Sequence, residues 1–264
     1  MKLSDVTALI EKRMPKSWAE EWDNPGLAFG RLDSEVSRIA LALDATPESV
    51  SDAAALGCRL LVAHHPIIFR PLRSIVDDTL TGRTLLCAAE KGVAIYAAHT
   101  NWDSSPEGVN CVLASLLALE GVEPLVCSQN GAWGMGAVGE LPEPLLPASL
   151  EQLLHVRWRL YNFTFYGDSS NRVKKIALGG GACQEFWRDA LAYGAYCFIT
   201  ADVSYHVRQE ALAAGLRLVS ADHGEMERAS LPALKKILEE ETTIPVFLLE
   251  ERKSPFEHWS GNQD

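Results

Sequence analysis

The sequence predicts an α/β fold built as two similar βαβαβ-type domains, whose largely parallel sheets are covered by helices. Short runs of β-type residues alternate with helix-like segments, which is typical of parallel strands joined by helical crossovers. A glycine ends several predicted helices before the next strand, at Gly57, Gly92, Gly194 and Gly215, because glycine readily adopts the left-handed conformation at a helix end. The two halves of the chain also repeat the same order of elements.

Each half is predicted to contain at least three strands separated by helices. In the first half the strands are RIALALDAT, CRLLVAHH and VAIYAAHTNWD, and the helices are PESVSDAAALG, TLTGRTLLCAAEKG and GVNCVLASLLAL. In the second half the strands are KKIALGGG, AYCFITAD, LRLVSADH and IPVFLLEE, and the helices are CQEFWRDALAYG, SYHVRQEALAAG and MERASLPALKKILEEE. LDAT aligns with LGGG, LLVAHH with CFITAD, and IYAAHT with LVSADH. This alignment favours an internal duplication of a β-α-β-α-β unit.

The repeat predicts two domains with a metal-binding cleft between them. The first spans residues 1–126 and carries the HHP and HTNWD motifs, and the second spans residues 127–264 and carries the HxxxE motif. The stretch from about Gly131 to Asn171 is rich in glycine and proline and contains the β-type run WRLYNFTFYG. We interpret it as a domain junction with a small antiparallel insertion. His258 lies in the polar tail that follows the last strand.

The composition argues against several classes of protein. The net charge is −11 and the pI is near 5.1, whereas nucleic-acid and membrane-surface binding call for a basic footprint. The N-terminal segment has no uninterrupted apolar core, so we expect no signal peptide, and no run approaches the roughly 18 apolar residues of a membrane span. The six cysteines show no CxxC spacing, which favours buried, reduced thiols. We therefore expect a cytoplasmic protein.

Metal-capable side chains follow several predicted strands. In open α/β sheets, ligands bind at the carboxyl ends of the strands. Four polar clusters lie at such ends: His64 with His65, His99 to Asp103, Asp202, and Asp222 with His223. Glu227 follows His223 by four residues, so on a helix the two side chains lie on the same face.

These imidazoles and carboxylates predict a site for two divalent metal ions. Nitrogen and oxygen ligands suit Zn, Fe, Mn, Co or Ni better than Ca, and two carboxylates, one able to bridge, offset the repulsion between paired cations. Each motif also has a plainer interpretation when taken alone. HHP occurs in ordinary loops, Asp103 can cap the following helix, and DHGEME can be a capped helix start with acids favoured by the helix dipole.

Other candidate residues carry weaker signals. His155 and His206 lie in helix-like segments without clustered partners, so we assign them surface or structural roles. The glycine run that begins at Gly179 follows a strand, but GGGACQEF does not have the GxGxxG spacing of dinucleotide-binding loops. A dinucleotide site is therefore not predicted.

Six motifs occur in an order that resembles a known family. They are WDNPGL (Trp22 to Leu27), LALDAT (Leu41 to Thr46), LLVAHHPIIF (Leu60 to Phe69), IYAAHTNWD (Ile95 to Asp103), GMGAVGEL (Gly134 to Leu141) and DHGEMER (Asp222 to Arg228). Over essentially its full length, the chain resembles the NIF-three-like family, also described as type 2 GTP cyclohydrolase I homologues.

The resemblance implies a two-domain α/β fold, a dinuclear metal centre in the cleft and a toroidal homohexamer built from dimers. Matched motif by motif, the implied metal ligands are His64, His65, Asp103, His223 and Glu227. Glu227 is the implied bridge between the ions. His99 is implied to be a further ligand or a close neighbour of the ligands, and Asn24 and Gly26 to form part of the cleft wall.

Two residues depart from the family pattern. Asp222 stands where the family often has glycine, and its carboxylate could join the metal site or hold His223 by a hydrogen bond. Ala137 stands where an arginine is common, so a contact to an anionic substrate would be lost or changed.

Two hypotheses about function follow. The first is a metal-dependent hydrolase, cyclohydrolase-like or phosphoesterase-like, acting on an unidentified small molecule or nucleotide. In this hypothesis two cations activate water, and His99 or Asp222 is the catalytic proton shuttle. The second is a metal-binding protein without turnover, a carrier or regulator that acts through partners.

Overall fold

The computed structural model describes residues 1–128 and 132–250 as an alternation of helices and strands. The helices are α1 (Leu3–Arg13), α2 (Pro47–Ala55), α3 (Leu80–Lys91), α4 (Thr100–Asp103), α5 (Val109–Leu116), α6 (Pro147–Trp158), α7 (Trp187–Ala192), α8 (Tyr205–Ala213), α9 (His223–Arg228) and α10 (Leu231–Thr242). The strands are β1 (Gly26–Phe29), β2 (Ile39–Ala42), β3 (Leu60–Ala63), β4 (Ala94–Ala97), β5 (Glu120–Glu123), β6 (Val126–Cys127), β7 (Gly134–Met135), β8 (Ala137–Leu145), β9 (Phe163–Tyr166), β10 (Val173–Leu178), β11 (Cys197–Ala201), β12 (Arg217–Ala221) and β13 (Val246–Leu248). The predicted α/β class is confirmed.

The first sheet has the strand order β1-β4-β3-β2-β13. Strands β2, β3, β4 and β13 are parallel, and β1 runs antiparallel along β4. Successive side chains of a strand point to opposite faces, and here both faces are covered. Leu41 and Val62 share an apolar core with α1 and α10, whereas Leu61 and Ala63 pack against α2 and α3.

The second sheet has the strand order β5-β8-β10-β11-β12-β9. Its parallel part is β10-β11-β12, with β8 antiparallel to β10 and β9 antiparallel to β12. The parallel strands β2, β3 and β4 follow one another in the same way, with antiparallel β1 on the outer edge of β4. The two sheets therefore repeat the unit that the sequence alignment predicts.

The four glycines predicted to end helices have left-handed backbone angles. The φ values are +73° at Gly57, +63° at Gly92, +72° at Gly194 and +89° at Gly215. Side chains with a β-carbon adopt these angles at a cost, whereas glycine does not. Each helix can therefore reverse into the next strand within a short turn.

The sheets do not divide the chain at residue 126, where the sequence predicts a domain boundary. The last strand, β13, pairs with β2 in the first sheet, with Val246 opposite Ile39. Conversely, β5 precedes residue 126 but pairs with β8 in the second sheet. The chain returns to the first sheet because α10 packs against α1 and brings β13 to the open edge of β2.

The middle of the chain contains a helix that the sequence analysis missed. Helix α6 begins at Pro147 and buries Leu150, Leu154 and Trp158, which are spaced by four residues along one face. The antiparallel strands predicted nearby are β8 and β9, and both belong to the second sheet. Gly131 and the tail with His258 lie outside the described residues.

One apolar core joins the two sheets. Leu41 and Val62 of the first sheet and Leu178 and Val219 of the second belong to the same cluster of buried side chains, with Leu113 of α5 among them. Within residues 1–128 and 132–250, no helix combines the length and the hydropathy that crossing a membrane requires.

Candidate metal centre

The five ligands that the resemblance implies lie together where the two halves of the chain meet. His64 and His65 follow β3, Asp103 ends α4, and α9 carries His223 and Glu227 on one face. The ring centroids of His64 and His65 are 5.0 Å apart, and those of His65 and His223 are 5.4 Å apart. The strand ends and the helix N-terminus thus bring together residues that are far apart in sequence.

Glu227 lies at the centre of the cluster and is almost fully buried. Its Oε1 is 3.0 Å from Nε2 of His223 and 3.4 Å from Nε2 of His64, and its Oε2 is 3.0 Å from Nε2 of His65. One carboxylate therefore contacts three imidazoles. Imidazoles from both halves of the chain thus meet at a single carboxylate.

Asp103 faces the same centre from the first half of the chain. Its Oδ1 is 3.7 Å from Nε2 of His64, and its side chain is buried. The alternative that Asp103 caps the following helix is wrong, because α5 begins after Gly108 and receives no side-chain cap. The buried carboxylate instead points toward the imidazoles.

A hydrogen bond at Nδ1 orients each imidazole. Nδ1 of His64 donates to the carbonyl oxygen of Ala98 at 2.7 Å. Carboxylates accept from the other three rings: Asp44 from His65 at 2.8 Å, Asp23 from His99 at 2.8 Å, and Asp202 from His223 at 2.7 Å. Since Nδ1 is engaged, Nε2 of each ring is the nitrogen available to a metal ion, as is common in metal sites.

Three buried polar atoms in the cluster make no hydrogen bond of normal geometry among the described residues, although Nε2 of His64 and Oε2 of Glu227 each lie within 3.4 Å of a neighbouring polar atom. They are Nε2 of His64, Oδ1 of Asp103 and Oε2 of Glu227. An unsatisfied buried polar group destabilises a fold by about 1–3 kcal/mol, so such groups seldom occur together without a ligand. Imidazole nitrogen and carboxylate oxygen are the donors that divalent transition metals accept. The donor set therefore fits a metal ion.

Two groups of side chains can each hold a metal ion. His64, His65 and His99 form one, and His65, His223 and Glu227 form the other, with the ligand atoms of each group within 4.8 Å of one another. The groups share His65. His99 thus lies among the candidate ligands, as the resemblance implies.

The electrostatics of the metal-free cluster favour protonated histidines beside charged carboxylates. Burial lowers the pKa of His65, but the hydrogen bond to Asp44 and the close contact with the Glu227 carboxylate outweigh it and raise the pKa to about 10. The close contact with the Glu227 carboxylate raises the pKa of His223 to about 9. Burial opposes ionisation of Glu227, yet the surrounding imidazoles hold its pKa well below the usual range. Burial raises the pKa of Asp103 to about 6.

Asp222 does not hold His223 in the way the sequence analysis considered. Its Oδ1 accepts a hydrogen bond from the backbone N–H of Glu225 at 2.9 Å and so caps α9. The partner of His223 is Asp202, which follows β11 and has a left-handed backbone with φ +52°. The predicted capped helix start is therefore present, and the same helix carries the two candidate ligands.

The structure places Asn24 in a loop contact, Gly26 in a strand and Ala137 in the apolar core. Asn24 is exposed, and its Nδ2 donates to the carbonyl oxygen of Ile68 at 2.6 Å, which joins two loops beside the cluster. Gly26 lies in β1 opposite Ala97 of β4. Ala137 is fully buried in β8, so it contributes to the apolar core.

A glycine loop that was not predicted as part of the site lies against Glu227. Gly181, in the run considered only for dinucleotide binding, has φ +74°, and a β-carbon there would be 2.4 Å from Oε1 of Glu227. Asn110 anchors this loop, because its Oδ1 accepts from the N–H of Gly180 at 2.9 Å and its Nδ2 donates to the carbonyl oxygen of Asp103 at 3.1 Å.

A second buried bridge joins the helices that carry Asp103 and Glu227. Nε1 of Trp102 donates to Oγ of Ser230 at 3.3 Å, and that hydroxyl donates to the carbonyl oxygen of Glu227 at 2.8 Å. The residue next to Asp103 is thereby linked to the residue that contacts three imidazoles. Both bridges connect the two halves of the chain directly behind the cluster.

Known proteins resemble this chain over its whole length. The sequence profile of the Duf34/NIF3 (NGG1p interacting factor 3) family matches residues 1–255. A Clostridium perfringens protein named GTP cyclohydrolase 1 type 2 homolog is 32% identical over 263 residues, covering 97% of this chain and 99% of that protein. The Streptomyces coelicolor protein of the same name is 34% identical over 232 residues, covering 86% of this chain and 81% of its own.

Solved structures share the fold. A Bacillus cereus protein related to NIF3 has a TM-score of 0.90 at 23% identity, covering 97% of this chain and 98% of that one. A Staphylococcus aureus hypothetical protein has a TM-score of 0.90 at 25% identity, covering 98% of this chain and 99% of that one. These matches confirm the resemblance that the six motifs indicate. The chain belongs to the Duf34/NIF3 (NGG1p interacting factor 3) family.

Proposed function

We propose that the protein is a metal-dependent hydrolase with a pair of divalent cations bound at this cluster. The observation that carries the proposal is the convergence of three buried atoms that make no hydrogen bond of normal geometry among the described residues, Nε2 of His64, Oδ1 of Asp103 and Oε2 of Glu227. Their donor types suit Zn, Fe, Mn, Co or Ni. A structural role for the cluster would leave these atoms unexplained.

The contacts of Glu227 suggest how the ligands divide. His64 and Asp103 would hold one ion, and His65 and His223 the other. Glu227 would contribute to both, since its carboxylate lies 3.4 Å from Nε2 of His64 and 3.0 Å from Nε2 of His65 and of His223. Two carboxylates among five ligands also reduce the repulsion between adjacent cations.

The remaining side chains prepare the cluster for hydrolysis. When bound, paired divalent ions supply Lewis acidity and lower the pKa of water in the site. His99 is suited to move a proton, because Asp23 holds its Nδ1 and leaves Nε2 facing the other imidazoles. Asp222 is less suited to this role, since its side chain caps α9.

The names of the relatives support hydrolysis of a small molecule or nucleotide. The Clostridium perfringens and Streptomyces coelicolor relatives are both named GTP cyclohydrolase 1 type 2 homolog, and a cyclohydrolase opens a ring with water. The family description instead refers to an interacting factor. A metal carrier or regulator that acts through partners is therefore the alternative that the experiments must distinguish.

Metal content tests the first half of the proposal. The protein purified without chelator should contain about two equivalents of divalent metal per chain by mass spectrometry, as in paired-metal sites. His64→Ala and His223→Ala should lose most of this metal. His206→Ala is the matched control, because His206 is a histidine whose ring contacts Tyr205 and not the cluster. Wild-type protein without metal would contradict the proposal.

Turnover tests the second half. The metal-loaded protein should hydrolyse at least one compound among phosphodiesters, nucleotides and cyclic amides, and His99→Gln should slow that reaction more than it lowers metal content. Full metal content without turnover on any of the three classes would favour the carrier alternative.

A further inference from the structure

Two exposed aromatic rings lie next to the cluster of candidate metal ligands and contribute no ligand atom to it. Trp22 is 58% exposed and Phe69 is 46% exposed. Their ring centroids are 5.7 Å apart with an interplanar angle of 53°. Contiguous exposed apolar surface is typical of binding sites, and these two rings are in contact with each other.

The rings continue the row of imidazoles. The ring centroid of Trp22 is 6.0 Å from that of His99, in an edge-on arrangement. The centroid of His99 is in turn 5.7 Å from that of His65. A molecule held against Trp22 therefore has a candidate metal-binding side chain as its immediate neighbour.

Hydrogen bonds fix the segment that presents Trp22. On one side, the backbone N–H of Glu20 donates to Oγ1 of Thr100 at 3.0 Å. On the other, Asp23 accepts from His99 and from the backbone N–H of Thr100, and Asn24 donates to the carbonyl oxygen of Ile68 next to Phe69. The backbone segments that carry the two rings are thus held in place before any ligand arrives, which lowers the entropy lost on binding.

We propose that Trp22 and Phe69 form a stacking platform for a planar heteroaromatic ring of the molecule that reaches the metal cluster. This inference rests on the proposed function and specifies its substrate class as ring-containing small molecules such as nucleotides. An aromatic platform suits such ligands because every nucleobase has a π-face. The metals and the platform would then act on different parts of one ligand.

The segment after Phe69 also exposes apolar side chains, so a second copy of the chain could compete with a ligand for this surface. Leu72, Ile75 and Val76 are also exposed. They follow Phe69 in the sequence, whereas the ring of Trp22 lies beside that of His99. The platform is therefore assigned to the two rings alone, and the oligomeric state is measured alongside ligand binding.

A matched pair of ligands isolates the contribution of the ring. Guanosine 5′-monophosphate and ribose 5-phosphate carry the same phosphate, but only the nucleotide has a planar base. Calorimetric titration of the metal-containing protein should show tighter binding of the nucleotide. Trp22→Ala should weaken nucleotide binding by about 5- to 150-fold and leave ribose 5-phosphate binding unchanged, whereas Trp22→Phe should retain most of the affinity.

Tyr161→Ala is the control for loss of an exposed ring. Tyr161 is 63% exposed and its ring contacts His155 in the second half of the chain, so this variant should bind both ligands like the wild type. Equal affinity for the two ligands, or none for either, overturns the inference. So does a Trp22→Ala variant that changes the sedimentation of the protein without changing its preference for the base.

The same titrations on chelator-treated protein keep the two proposals separate. Stacking on Trp22 needs no metal, so the effect of Trp22→Ala on nucleotide binding should persist when the ions are removed. A protein that holds no metal but still shows this effect contradicts the proposed function alone. A protein that holds its metals but binds the nucleotide without the help of Trp22 contradicts this inference alone.

Discussion

Gly181 lies so close to Glu227 that a β-carbon at this glycine would be 2.4 Å from the Oε1 atom of the carboxylate. The same β-carbon would be 3.2 Å from Nε2 of His223. The glycine loop after β10 therefore leaves just enough room for the carboxylate that contacts three imidazoles. This close approach makes the backbone a wall of the candidate metal centre.

Gly181→Ala should lower metal content. The new methyl group must displace Glu227, and the left-handed backbone should also reduce the free energy of unfolding by about 1–2 kcal/mol. Gly194→Ala separates the two effects, because Gly194 has φ +72° and a β-carbon there would meet nothing within 4 Å. We expect both variants to lose stability in urea denaturation and only Gly181→Ala to lose metal. Equal metal content in the two variants would show that the space beside Glu227 is not required.

Asn110→Ala should destabilise the protein and weaken its metal site together. The substitution leaves the N–H of Gly180 and the carbonyl oxygen of Asp103 without their buried partner, at about 1–3 kcal/mol for each group. Urea denaturation of the metal-free protein measures the loss. Asn171→Ala is the control, since Asn171 is exposed and bonds to Asp168 and Tyr196 at the surface. A loss no greater than that of the control would mean that the bridge contributes little.

Asp202→Asn should lower metal affinity by about tenfold, because the carboxylate that orients His223 becomes neutral. Asparagine tolerates the left-handed backbone of this position, so the fold should remain intact. Asp222→Ala should behave in the opposite way. It removes the cap of α9 and about 0.5–2 kcal/mol of stability, but it should leave the affinity unchanged. Competition with a chromogenic chelator measures both, and a larger loss of affinity in Asp222→Ala would refute this division of roles.

The metal-free protein should become less stable as the pH rises above 6.5. The folded-state pKa values of His65 and His223 are raised to about 10 and about 9 from an ordinary 6.5. A histidine with a raised pKa contributes stability that is fully present below its unfolded value and is lost as the pH passes through its folded value. The contribution should therefore disappear between about pH 6.5 and pH 10.

Urea denaturation in the presence of chelator at pH 6.5, 8 and 9.5 tests this dependence. A variant with glutamine at both positions, His65→Gln with His223→Gln, should show a flatter profile over the same range. If the wild type and the variant lose stability in parallel, other groups cause the pH dependence.

The parallel strands β2, β3 and β4 of the first sheet and β10, β11 and β12 of the second could be predicted from local patterns. Apolar runs of four or five residues, each followed by a glycine-ended helix, predict strands such as β3 and β11 because alternate side chains must enter cores on both faces. The ends of these strands then indicate where ligands bind. This reasoning points to His64, His65 and His223.

The return of β13 to the first sheet and the presence of α6 could not be predicted in the same way. Strand pairing depends on which sheet edge is open and on how α10 packs against α1, and neither leaves a pattern within the strand itself. Helix α6 has a regular apolar face at Leu150, Leu154 and Trp158, so a four-residue spacing was available as a signal. The β-type residues that follow it obscured that spacing.

By itself, the sequence determined the kinds of side chain available for a metal, their positions at strand ends and the family to which the chain belongs. The tertiary structure alone decided which oxygen orients each imidazole and which residues stand behind the ligands. Asp23, Asp44 and Asp202 reach their histidines from other loops, and Gly181 limits the space beside Glu227. Such pairings depend on distances of a few ångströms between segments far apart in the chain, and only the packing of the two sheets brings those segments together.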